Sequence, residues 1–167
     1  MTGDDQPAWG PILDAARAGQ MPGLSLGAGP LDLGRAFRRR LVYVATPYSR
    51  EVLDERGRFC WGRSGDCADD AAHVVALLLR AQVTGVSPIV LVHALLLADR
   101  DRVIPPGEPP INPLDADLWT RWCAPLLAAC DAVYVPALMG WDRSAGIWHE
   151  CRTALRAGKP VFLGGRS

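Results

Sequence analysis

Short apolar runs alternate with longer stretches of helical spacing from Leu41 onward. LVYVAT (41–46) is a β-rich run closed by Pro47, which predicts a buried strand. Asp66 to Gln82 sets Val74, Leu77, Leu78 and Ala81 on one face, with acids in the first turns, and predicts a helix that stops before Gly85. PIVLVH (88–93), DAVYVP (131–136) and KPVFLG (159–164) predict three further strands. Asp115 to Ala129 is helical in pattern, with Pro125 expected to kink or split it. Residues 99–113 (DRDRVIPPGEPPINP) read as a loop, long enough for a functional flap. Residues 1–36 are rich in glycine and proline, and predict an irregular arm with at most one short helix, near Ile12 to Ala18. The folded domain is therefore expected over 37–167.

Strands that are apolar along their length and alternate with helices predict an α/β protein. The expected form is a doubly wound parallel sheet of 4–5 strands in a three-layer αβα sandwich. Ligands of such sheets sit beyond the carboxyl ends of the strands, where the strand order reverses. ATPYSR, VHALLLADR and PALMGWDRS leave those ends.

The stretch from Ser144 to Gly158 is the most informative. Ser144 is a good N-cap, and Gly158 with Lys159 and Pro160 makes a C-terminal stop. Ile147, Cys151, Ala154 and Leu155 form its core stripe. Glu150 falls roughly 80° from the centre of that stripe, on the border of burial. Its carboxylate leans back over Gly146, which has no side chain and leaves room beside the acid. A glycine costs about 1 kcal/mol in a helix relative to alanine. A surface glutamate paired with Arg152 or Arg143 is the alternative at this stage.

Charge and composition narrow the classes. The 167 residues carry 18 basic and 18 acidic side chains, so nothing marks a nucleic-acid polymer as partner. No apolar stretch reaches the roughly 20 residues of a membrane span, and no signal peptide opens the chain. Five cysteines without a tight pair suggest reduced thiols and a cytoplasmic location. His149, Glu150 and Cys151 are consecutive and cannot share one metal ion, and no metal is expected. No dinucleotide glycine fingerprint follows the first predicted strand, where Pro47 stands, and no cofactor is expected.

Taken in order, VYVATPYS, SPIVLVH, W-x-x-W before LLAACDAVYVPALMGW, S-x-G-x-x-x-E and GKPV resemble the nucleoside 2-deoxyribosyltransferase-like superfamily, with the nearest likeness to its DUF1937 branch. The resemblance spans about 41–164 and leaves the arm outside. It implies a flavodoxin-like sandwich that cleaves the N-glycosidic bond of a nucleoside or nucleotide, with Glu150 as nucleophile. It also implies that Tyr43 orients Glu150, that Thr46, Pro47 and Tyr48 line the pocket, and that Ser144 contacts a 5′-phosphate. A helix N-terminus is a ready anion site, which agrees. Asp142 lies close by and suits a free 5′-hydroxyl instead.

One position departs from the pattern. Relatives carry an aspartate four residues after the tryptophan, where this chain has Cys123 after Trp119. Either Asp115, Asp117 or His93 carries the proton in its place, or the domain is a nucleotide-binding module without catalysis. Trp141 and Trp148 flank the helix as aromatics that commonly mark interfaces, and with the resemblance they predict a homo-oligomer.

Overall fold

Five parallel strands form one sheet in the computed structural model, which describes residues 6–101 and 108–165. They are β1 (Leu24–Ala28), β2 (Leu41–Val44), β3 (Thr84–Val86), β4 (Ala132–Val135) and β5 (Val161–Gly164), in the spatial order β1-β5-β4-β2-β3. Val42 to Val44 and Ala132 to Val135 are buried whichever way they point, so the sheet needs a layer on each face. One layer is α1 (Trp9–Arg17), α5 (Ala116–Ala129) and α6 (Ala145–Arg156), packed on Tyr43, Val133 and Val135. The other is α2 (Pro30–Ala36) and α3 (Trp61–Arg80), packed on Val42, Val44, Ala132 and Tyr134. The result is the flavodoxin-like αβα sandwich that the alternation of elements predicts.

Three readings need correction. PIVLVH is not a strand: it opens α4 (Pro88–Asp101), and the strand is Thr84–Val86 just before it. The apolar run continues to Ala98, too long for a short strand, and Pro88 stands at the first helical turn, where proline's missing N–H costs nothing. The arm is not irregular either, since α1, β1 and α2 all lie within 1–36. β1 pairs in parallel with β5, with a register shift between Leu26 and Ala28 where Gly27 takes φ +72°. Gly29 and Pro30 then start α2, the Gly29 N–H donating to Asp32 Oδ2 at 2.9 Å. Third, Pro125 does not split α5, which runs unbroken from Ala116 to Ala129. Pro125 is exposed in the last turns, where water can satisfy the carbonyl that its ring leaves unbonded.

The other boundaries move less. α3 begins at Trp61, five residues before the expected start. Of the expected flap, residues 99–101 finish α4, 102–107 lie outside the described residues, and the Ile111 N–H donates to the buried Asp99 carboxylate. Trp141 and Trp148 are not free surface aromatics. Trp9 of α1 packs edge-on against both, with centroids 5.0 and 4.9 Å away, and Trp148 is buried. The arm thus covers the face that was expected to meet a second subunit, and the homo-oligomer rests on the resemblance alone.

Lys159 ties the C-terminal end of α5 to the start of β5. Its Nζ donates to the carbonyls of Leu127 (3.1 Å) and Cys130 (2.7 Å), which the helix itself leaves unpaired. Lys159→Met keeps the stem and removes the charged donor. It is expected to lower stability by about 2 kcal/mol, read from the denaturant midpoint at constant slope.

Candidate active site

The chain runs from β2 outward to β3 on one side and from β4 to β5 on the other, so the strand order reverses between β2 and β4. The register Tyr43↔Val133 puts Tyr43 on the face that α5 and α6 cover. There the Tyr43 hydroxyl donates to Glu150 Oε1 at 2.5 Å, across 107 residues of chain. This short, charge-assisted bond holds the carboxylate in one rotamer.

α6 delivers Glu150 as its sequence predicts. Ser144 caps the helix, its Oγ accepting from the Ile147 N–H at 3.3 Å, and Ile147, Cys151 and Ala154 are buried beneath. Glu150 itself is half-buried. Burial pushes its carboxyl up to about 7, against the pull of the Tyr43 hydrogen bond. A methyl group at Gly146 would meet only Ser144 Oγ, at 3.8 Å, so the space beside the acid is open.

Cys123 completes the cluster from α5. Burial, then the charge of Glu150, push its thiol up to about 11. The other candidates for its proton-carrying role are placed elsewhere. Asp115 caps α5 by accepting from the Leu118 N–H at 2.9 Å, and Asp117 is exposed in the first turn. His93 does not end a strand. It lies on α4, where its Nδ1 is 2.9 Å from Ser64 Oγ, which in turn is 2.9 Å from the Tyr48 hydroxyl. Tyr48 is therefore a packed residue among Val52, Val92 and Leu96, not the pocket-lining residue that the resemblance implies. Asp142 is exposed in the 3-10 turn Trp141–Arg143 ahead of α6.

Thr46 and Pro47 do line a cleft, of about 310 Å3, at the carboxyl ends of β2 and β4. Of its other walls, Leu138 and Met139 lie in the segment PALMGWDRS expected there, while the carboxylates were missed in the sequence. Arg63, Asp66, Cys67 and Asp70 come from α3, Glu51 from the loop after β2, and Leu138 with Met139 from the link between β4 and α6. The spacing 63, 66, 67, 70 places those four on one helical face, a signal that was available. Glu150 is not among the lining residues: Tyr43, on β2, faces α5 and α6, whereas Thr46, two residues beyond the strand, lines the cleft with α3. Among the described residues, no group of three or more His, Cys, Asp or Glu is placed to hold a metal ion. Nor is any described helix long and apolar enough to cross a membrane.

The sandwich defines a doubly wound α/β protein, and its carboxylate–tyrosine pair joins α6 to β2, one of the two strands at the topological switch point. The chain belongs to the DUF1937 family, a domain of unknown function, which it matches over residues 40–165. A search of curated proteins found no match.

Tyr43→Phe tests the pair directly. Loss of one hydrogen bond to a charged group is worth about 1.5–3 kcal/mol, so turnover is expected to fall roughly 10- to 100-fold. Substrate affinity is expected to change far less, and equal losses in kcat and affinity would reduce Tyr43 to packing.

Proposed function

We propose that the protein cleaves or transfers at the N-glycosidic bond of a nucleoside, deoxynucleoside or its 5′-monophosphate, through a covalent glycosyl ester on Glu150. The observation that carries the reading is the 2.5 Å bond from Tyr43 to Glu150 at the switch point of the sheet. The likeness to the nucleoside 2-deoxyribosyltransferase-like superfamily supports it. A carboxylate that attacks the anomeric carbon splits one difficult displacement into two easier ones. Tyr43 fixes the attacking oxygen, and bare Gly146 lets the sugar approach. The open first turn of α6, with Ser144 and exposed Arg143, suits a 5′-phosphate.

The experiment is incubation with nucleosides and their 5′-monophosphates, with released base followed by chromatography. Base release that requires Glu150 supports an enzyme. Tight binding of nucleotides without release supports the second reading, a binding module. Cys123 favours that module, because it stands beside Glu150 where an acid would serve catalysis.

A further inference from the structure

The cleft at the carboxyl ends of β2 and β4 gathers unmatched negative charge. Asp66 and Asp70 stand four residues apart on α3, about 6 Å along its axis. Glu51 comes from the loop after β2 and lies against the opposite rim, where a methyl group at Gly140 would stand 2.5 Å from its Oε1. Gly140, at φ +86°, leaves that room. Arg63, the cation of the lining, turns its guanidinium to the Leu53 carbonyl. Among the described residues, none of these three carboxylates has a hydrogen bond or an ion pair. Asp14, Asp32, Asp54, Asp101 and Asp131 each hold an arginine.

In the same wall Thr46 is only 6% exposed, yet its hydroxyl has no partner. A buried hydroxyl of that kind needs a partner that the chain does not supply. The acids are too far apart to share a single atom, since no group of three or more His, Cys, Asp or Glu among the described residues is placed to hold a metal ion. A cation that spans them is therefore extended. Three carboxylates against Arg63 leave two negative charges over, which a dication matches. Pro47, Leu138 and Met139 offer apolar contact to a hydrocarbon stem between its charged ends. The cleft, at about 310 Å3, has room for a small molecule of that kind.

We infer that this cleft is a binding site for an aliphatic diamine, with one ammonium group held by Asp66 and Asp70, the other by Glu51, and the Thr46 hydroxyl accepting a hydrogen bond from one of them. An ammonium group has three N–H donors and no acceptor, so carboxylates and a hydroxyl oxygen are the partners it requires. The site is independent of Glu150. Tyr43 and its carboxylate partner lie on the face that α5 and α6 cover, whereas the cleft opens on the α3 side. Asp66 and Asp70 are exposed, so binding weakens as salt rises.

The test is calorimetric titration of the full chain with 1,4-diaminobutane, beside 1-aminobutane and 1,4-butanediol. The diamine is expected to bind about 10-fold more tightly than the monoamine, and the diol not at all. Asp66→Asn, Asp70→Asn and Glu51→Gln, each checked for folding by circular dichroism, are expected to weaken the diamine by about 3- to 10-fold. Thr46→Val keeps the shape, removes the hydroxyl and is expected to cost about 5-fold. Glu150→Gln is expected to bind as the wild type does. Magnesium chloride and sodium chloride of equal ionic strength are expected to compete equally, as screening alone. Equal affinity for diamine and monoamine, or unchanged affinity in the cleft variants, overturns the inference. So does loss of binding in Glu150→Gln, which puts the amine at the other carboxylate, and so does stronger competition by magnesium, which makes the cleft a metal site. Base release is not part of the readout, so failure here leaves the glycosidase reading standing.

Discussion

Glu150→Ala is expected to abolish glycosidic turnover, by about 10⁴-fold or more, in a chain that still folds. A covalent nucleophile is the one group whose removal takes away the intermediate itself, and losses of that size follow. Packing cannot imitate it. Glu150 is half-buried at the rim of α6, while the core stripe of that helix is carried by Ile147, Trp148, Cys151 and Ala154. The Ala variant leaves the Tyr43 hydroxyl without its acceptor, at a cost of about 1–3 kcal/mol. That is a modest fraction of a typical domain's stability. Base release measured on the variant, beside a circular dichroism spectrum and a melting curve, decides the matter. A well-folded Ala variant that turns over at the wild-type rate removes Glu150 as nucleophile.

The second large effect is on stability and runs against pH. Burial lifts the Glu150 carboxyl from 4.5 to about 7, so between those values the folded chain binds a proton that the unfolded chain has released. Stability is therefore fully present below pH 4.5, declines as pH rises, and has lost this contribution above about 7. At about 1.4 kcal/mol for each tenfold change, the whole loss is about 3 kcal/mol. Glu150→Gln keeps the shape and removes the titration. Its stability is expected to stay level from pH 5 to 8, where that of the wild type falls. Parallel curves for the two proteins would show that the carboxyl is solvated in the folded state. The same ionisation governs attack, because only the carboxylate is a nucleophile, so kcat/KM of the wild type is expected to climb through pH 7.

The helix that carries Glu150 was legible because its signals are local. Ser144 caps, Gly158 at φ +70° ends, and the stripe between them is periodic, so cap, stop and border position all follow from spacing. The strands LVYV, AVYV and VFLG were legible for a similar reason, as β-rich apolar runs of the right length. PIVLVH was not, because β-branched residues at 89, 90 and 92 look the same in a buried strand and in a buried helix. β1 escaped because only pairing with β5, far away in sequence, gives LSLGA a strand's environment. The burial of Trp141 and Trp148 depends on Trp9 in the same way. For the site, the Tyr43–Glu150 pairing came from the resemblance, while the carboxylates of the cleft needed the tertiary fold to bring Glu51 against α3.

The pairing of β1 with β5 bears on how this chain reaches its folded state. β5 follows every other strand in sequence yet lies inside the sheet, with β4 on one side and β1 on the other. As the chain emerges during synthesis, Leu24–Ala28 is made early and must wait for Val161–Gly164 before it has a partner. That closure spans nearly the whole chain, the kind of long-range contact that slows folding. The waiting segment is poorly suited to pairing with anything else. It is short, Ser25 and Gly27 interrupt its apolar residues, and Gly27 breaks its register. A strand that forms its ladder only with β5 can be first in sequence and last in assembly without capturing a wrong neighbour in between.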